Sequence, residues 1–369
     1  MSSPIADLEP ASPLPPPPKR YIIRLKPQVD RDAHLQGHLE KFSSHDFELH
    51  HTLDHRNVYA ATISAAVLAR EFQLGPDSPI EAIREDHEMR ISDVSWSRKV
   101  KSWGLARINR DAKLTGSGEW NYHYDNTLET GKGINVYIID TGIYSAHSDF
   151  QGRVQSAWVY ADYKAGDSNG HGTHVAGTIG GSTHGVAPAA TLHDVKALND
   201  SGTGWSSVIT KAMEWVLDNA TLPAVVNMSF EGSDDEDQKE YVEELTEKGI
   251  HVVVVAGNAG TDAKATSPAN APTAVTVGAT NEDDEKWTSS NTGTCLDLLA
   301  PGVDIPSCGT ANVNAFVEKS GTSMAAPHVS GIIASILSLS EANQKWSPKE
   351  MKGVLVALSV KDALTKLGT

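Results

Sequence analysis

Three polar residues of this chain stand where a run of apolar residues begins or ends beside glycine. Asp140 closes the strand-like run NVYIID, His171 lies in NGHGTHVAG where glycines give way to an apolar helical stretch, and Ser323 opens SMAAPHVSGIIASIL just behind Gly321. A carboxylate, an imidazole and a hydroxyl are the parts of nucleophilic acyl transfer, in which the base takes the hydroxyl proton and the acid orients the base. A helix that starts at the hydroxyl adds the positive end of its dipole, which favours the negative charge that builds on the attacked carbonyl. Taken singly, each residue has a plainer role: an Asp at a strand end makes turns, and a Ser at a helix start caps it. His171 and His174 could suggest a metal pair, but the metalloprotease spacing H-E-x-x-H requires a Glu between its histidines and none is present.

Together the three segments resemble the active-site blocks of the subtilisin family, in that family's chain order of Asp, His and Ser. GTSMAAPHV is the most specific of them, and the likeness extends over most of residues 102–355 through SWGLARI, NMSF, VAGN and DLLAPG, nearest to the proteinase K branch. The resemblance implies that Ser323 is the nucleophile, His171 the general base and then acid, and Asp140 the buried carboxylate that sets the imidazole tautomer. It implies Asn258 as oxyanion donor, with the backbone N–H of Ser323 as the second. A substrate would lie as an added strand between Gly202, Thr203, Gly204 and Trp205 on one side and Ser229, Phe230, Glu231 and Gly232 on the other. Val255, Ala256 and Gly257 would line the pocket for P1, the residue on the acyl side of the cut bond. An apolar P1 residue is expected, with two departures that alter the pocket: Glu231 stands where the family has Gly, and Val255 where it has Ala. The resemblance also implies a structural calcium held by the carbonyls of Pro272 and Ala274 and the carboxylate of Asp297. No cofactor is required for the chemistry.

The elements that must position these residues follow from periodicity. The runs NVYIID, TLHDVKAL, AVVNMSF, HVVVVAG and TAVTVGA read as strands separated by helical stretches, which predicts a mainly parallel sheet covered by helices on both faces. This is the three-layer α/β fold that the resemblance also implies. Upstream, strands at 21–25, 47–53, 58–63 and 80–91 and helices at 31–42 and 64–74 give a βαββαβ order, the ferredoxin-like α+β arrangement. We read four segments: a disordered leader at 1–19, which carries seven prolines; a module at 20–92; an exposed, cleavable linker at 93–101; and the catalytic domain at 102–369. The position of the second segment resembles that of the family's inhibitory propeptide. Seven of the fifteen histidines fall in residues 20–97, namely His34, His38, His45, His50, His51, His55 and His87, so acid could weaken this module if some are buried neutral.

With 369 residues and 39% hydrophobic side chains, the chain can build one large core and one small one. A net charge of -16 argues against nucleic acid as partner, and no run of about 18 apolar residues predicts a membrane span. The expected partners are protein or peptide substrates and the chain's own propeptide, the enzyme being a monomer. The first twenty residues lack a basic segment followed by an apolar one, so they do not read as a secretion signal, whereas the family resemblance implies a secreted or vacuolar protein. An intracellular site stays open. Two other readings stand beside the active endopeptidase: a dedicated processing protease for one partner, and an inactive subtilase that acts as a binding protein.

Overall fold

Alternation of apolar and polar residues in the first hundred positions produces a small antiparallel sheet. The computed structural model describes residues 17–53, 57–86, 96–116, 118–124, 129–339 and 346–365. It divides at Asp93 and Val94 into two units, each with its own core. The first contains β1 (Lys19–Leu25), α1 (Arg31–Lys41), β2 (Phe47–Leu53), β3 (Val58–Ile63), α2 (Ala65–Glu71) and β4 (Ile80–Glu85). Its sheet has the order β2-β3-β1-β4 with antiparallel pairing throughout, the split βαβ arrangement that the element order predicts. Asp30 and Ser64 cap the two helices through their side-chain oxygens, and Leu35 and Val67 bury against Ile23, Leu25, Phe47, Tyr59 and Phe72. The predicted leader lies outside the described residues except for its last three, as do residues 87–91 of the last predicted strand.

The second unit opens with β5 (Trp96–Val100), α3 (Trp103–Arg107) and β6 (Trp120–Tyr124). β5 corrects the predicted linker. Residues 93–95 lie outside the described residues, but Trp96–Val100 pairs antiparallel with β6 and Val100 is buried, so that stretch is structured. Its polar composition concealed a strand whose partner lies some twenty residues further on. Then follow β7 (Asn135–Asp140), β8 (Val154–Val159), α4 (His171–Gly180), β9 (Thr191–Lys196), α5 (Ser206–Asn219) and β10 (Ala224–Met228). After these come β11 (Gly232–Ser233), α6 (Glu236–Glu247), β12 (His251–Val255), β13 (Thr266–Ser267) and β14 (Val275–Thr280). The unit closes with β15 (Leu298–Pro301), β16 (Ile305–Cys308), β17 (Phe316–Lys319), α7 (Thr322–Leu339) and α8 (Pro348–Leu358).

Seven strands form one sheet in the order β15-β14-β12-β10-β7-β9-β8, and every neighbouring pair is parallel. Side chains alternate across it. Val136, Ile138, Val225, Val253 and Val255 pack with Val175 and Ile179 of α4 and Val329 and Ile333 of α7. Tyr137, Ile139, Val226, Val252 and Val254 pack on the other face with Val208 and Met213 of α5 and Val242 and Leu245 of α6. That is the three-layer fold the sequence predicts. α7 is apolar enough in length and composition to cross a membrane, but 67% of it is buried inside this fold, where it fills the core beneath the sheet. All parallel strands leave the sheet at the same end, so β7, β10 and β12 deliver Asp140, Ser229 and the segment before Asn258 to one edge.

Candidate active site

Asp140 ends β7 with no exposed surface, and its Oδ1 accepts the backbone N–H of the next residue, Thr141, at 2.7 Å. Both carboxylate oxygens face Nδ1 of His171, at 2.8 and 3.0 Å. An ionised carboxylate only accepts, so Nδ1 carries the proton and Nε2 presents its lone pair. His171 is the first residue of α4, and this helix starts close to the strand end because the second residue is glycine. A Cβ on Gly172 would come within 2.2 Å of the Gly142 carbonyl and 3.1 Å of Asp140. Burial works to lower the imidazole pKa, but the charge of Asp140 and the hydrogen bond to it outweigh burial, and the pKa lies above 6.5. The His171 side chain keeps 24% of its surface open, enough to meet a substrate.

Ser323 is the second residue of α7 and only 8% exposed. Its hydroxyl donates to the Ser229 carbonyl at 3.0 Å, and Ser229 Oγ donates back to the Ser323 carbonyl at 3.3 Å. The hydroxyl is thus turned toward the end of β10. Asn258 follows β12, and its Oδ1 accepts from the Thr322 N–H at 2.8 Å and the Thr322 hydroxyl at 3.0 Å. That pairing leaves the Asn258 amide nitrogen as a free donor beside the helix start. Asn227, fully buried in β10, donates to Ser229 Oγ at 2.8 Å and accepts from Ser330 Oγ at 2.9 Å, tying the strand end to α7.

The predicted substrate segments sit at the same edge. Gly202, Thr203, Gly204 and Trp205 are exposed, Trp205 to 77%, just ahead of α5. Ser229 and Phe230 lead into Glu231 and Gly232, and Gly232 pairs with Ser267 in the small β11–β13 ribbon. Val255, Ala256 and Gly257 are buried. The predicted calcium ligands meet a competing cation. The carbonyls of Pro272 and Ala274 and Asp297 Oδ2 do converge, but on the ammonium of Lys352, at 3.1, 2.7 and 2.8 Å. A divalent ion would have to displace that cation, so these residues do not fit calcium as they stand. Lys352 lies on α8 some eighty positions from the carbonyls, and nothing in the motif NAPTAVTV announces it. Among the described residues no cluster of three His, Cys, Asp or Glu could hold a metal. His174 serves structure: its Nε2 faces the Ile305 and Val317 carbonyls at 2.8 and 3.1 Å. Cys295 and Cys308 are both free thiols, Cys308 buried against Asp149.

Sequence reasoning missed a layer of charge beneath the site. Asp167 accepts from Gly170 N, Thr173 N and both the Thr141 and Thr173 hydroxyls, at 2.6 to 3.0 Å, so it caps α4 and binds it to the residue after Asp140. Lys196 is fully buried at the end of β9 and reaches the Thr141 carbonyl and Asp200. Asp194, also buried, is pushed up to about 7, chiefly by burial, with Asp167 and Asp140 adding to the shift. The polar residues in GDSNGHG and LHDVK were the available signal.

A family model described as the subtilase family matches residues 131–367. The chain is similar to an extracellular serine proteinase of a Thermus species, 41% identical over 264 residues, covering 71% of this chain and 62% of that protein. It is also similar to the subtilase-type proteinase psp3 of Schizosaccharomyces pombe, 37% identical over 366 residues, covering 93% of this chain and 79% of that one. Among solved structures, a cold-adapted subtilisin-like serine proteinase superposes with a TM-score of 0.66 at 38% identity, covering 72% of this chain and 94% of the other.

Proposed function

The chain belongs to the subtilase family, with the catalytic domain of a serine-type endopeptidase, and on that premise we propose that Asp140, His171 and Ser323 hydrolyse peptide bonds through an acyl-enzyme. The observation that carries this reading is the fully buried Asp140 bonded through both oxygens to His171 Nδ1. It leaves Nε2 unprotonated to take the Ser323 proton once the hydroxyl turns from Ser229. As Oγ bonds to the carbonyl carbon, the Asn258 amide and the Ser323 N–H receive the oxyanion. His171 then gives its proton to the leaving amine, and water repeats the sequence to free the acid. The four groups argue for an active enzyme over an inactive binding protein.

Residues 20–92 act in this proposal as the inhibitory propeptide, removed by self-cleavage. In this reading the cut falls between Met89 and Trp96, because the rest of the linker expected at 93–101 pairs as β5. The extracellular Thermus relative supports a secreted site. Ser323→Ala should abolish both processing and peptide hydrolysis, a loss on the order of a million-fold, and Asn258→Ala should cost about 100- to 1,000-fold in turnover. Hydrolysis of a peptide anilide by the purified variants decides it; normal turnover by Ser323→Ala would contradict the proposal.

A further inference from the structure

β10 and β12 are adjacent parallel strands, with Met228 opposite Val254, so the segments Ser229–Phe230–Glu231 and Ala256–Gly257–Asn258 leave the sheet side by side. The slot between them ends at Ser323, whose hydroxyl bonds Ser229 and whose helix is bonded to Asn258 through Thr322. Glu231 reaches across this slot. Its carboxylate accepts the Asn258 backbone N–H at 3.1 and 3.3 Å, and it lies so close over Gly257 that a Cβ there would come within 2.0 Å of Oε2. Gly257 has φ +104°, so glycine is required there on both counts. Among the described residues no Lys or Arg forms an ion pair with Glu231, which is exposed, while Val255 and Ala256, the residues ahead of Gly257, are 1% and 0% exposed.

We propose that Glu231 is the counter-ion of a basic P1 side chain, making this protein an endopeptidase that cuts after arginine or lysine. The inference rests on the endopeptidase reading and names its substrate class. An apolar P1 side chain entering the slot must either push the carboxylate off the Asn258 N–H or bury its charge without a counter-ion, and both are unfavourable. An arginine or lysine runs its apolar stem along the slot between the two segments and brings its cationic head to the carboxylate, which keeps its bond to Asn258. This replaces the apolar preference expected from the resemblance. Because Glu231 also holds the residue that supplies the oxyanion donor, charge and hydrogen bonding need separate tests. Glu231→Gln keeps an oxygen that can accept from Asn258 and removes only the charge.

The test uses two peptidyl phosphonates that differ only at P1, one cationic and one a phenylalanine analogue, with the rate of labelling at Ser323 read by mass spectrometry in the wild type, Glu231→Gln and Glu231→Ser. The wild type should react faster with the cationic probe, and both variants should lower the cationic-to-apolar rate ratio by about tenfold or more, the factor equivalent to about 1.4 kcal/mol. Rising salt should slow the cationic probe alone. A wild type that prefers the apolar probe, with a ratio unmoved by Glu231→Gln, overturns the inference while the endopeptidase reading stands. Failure of both probes to label Ser323 removes that reading and this inference with it.

Discussion

With His171 Nδ1 held 2.8 Å from a carboxylate that has no exposed surface, the charge state of one imidazole sets when the site can work. In the proposed mechanism only neutral His171 can accept the Ser323 proton, and its pKa is raised above 6.5, so activity should rise with pH on a limb displaced to the alkaline side of that value. The same shift makes the protonated His171 a stabilising group below about 6.5, the unfolded value, and that contribution is lost as pH rises through the folded pKa. Asp140→Asn should cost about 10,000-fold in turnover, because the amide no longer enforces the Nδ1–H tautomer, and should move the limb to lower pH. A kcat/KM profile from about pH 5 to 10 on both proteins, spanning the range in which imidazole titrates, checks it; an unmoved limb would detach Asp140 from His171. At this scale the sequence was legible wherever residue type announces chemistry. Asp140, His171, Ser323 and Asn258 lie in short motifs, whereas Asp167, Lys196 and Lys352 act through partners that only folding brings near them, and an isolated charge in a sequence does not name its partner.

Elements were legible where hydrophobic period is strong. The buried strands β7, β10 and β12 read as continuous apolar runs, but β5 is polar and short, and β15 and β16 are four residues each, too few to show a period. The acidic run from Glu231 begins its helix only at Glu236, because Asp235 is the N-cap and Gly232 belongs to a ribbon. α8 was the least expected contributor, since through Lys352 it fastens itself to the loop ahead of β14 and to Asp297. Calcium at that position should therefore contribute nothing to the thermal midpoint, so that Asp297→Asn leaves any effect of EDTA or added calcium unchanged. Lys352→Met should lower stability by about 1–2 kcal/mol, allowing for the partial exposure of the pair, by leaving three oxygens without a cation. Differential scanning calorimetry with and without chelator measures both. A midpoint that falls on chelation and recovers with calcium in the wild type but not in Asp297→Asn would show that Lys352 does not hold that position.

As a whole the molecule is two separately cored units, and the smaller one carries an acid-sensitive element in a place the histidine count alone did not identify. His50 and His51 lie on the outer strand β2, half-buried and exposed, while His55 and His87 fall outside the described residues. The pair that packs together is His34 and His38 on α1, both half-buried: their Nε2 atoms are 3.2 Å apart, His34 also meets the Tyr59 hydroxyl, and His38 stacks on Phe42 and Phe72. Burial first, and His38 second, push His34 down to about 4, and burial lowers His38 as well. Neutral histidines of depressed pKa support the fold fully above about 6.5 and withdraw that support as pH falls toward the folded value. In the Ser323→Ala chain, hydrogen-exchange protection of Arg31–Lys41, corrected for intrinsic rate, should drop between about pH 7.5 and 5, within the histidine range. That drop should shrink when His34 and His38 are replaced by Gln; equal protection at both pH values would remove the element. The central claim, that Ser323 is the nucleophile driven by His171 and Asp140, is tested most directly by peptide mapping of the protein after reaction with a fluorophosphonate. The account predicts a single adduct on Ser323 in the wild type and none in Ser323→Ala, with labelling slowed in Asp140→Asn. An adduct on another residue, or no adduct in an intact wild type, would contradict it.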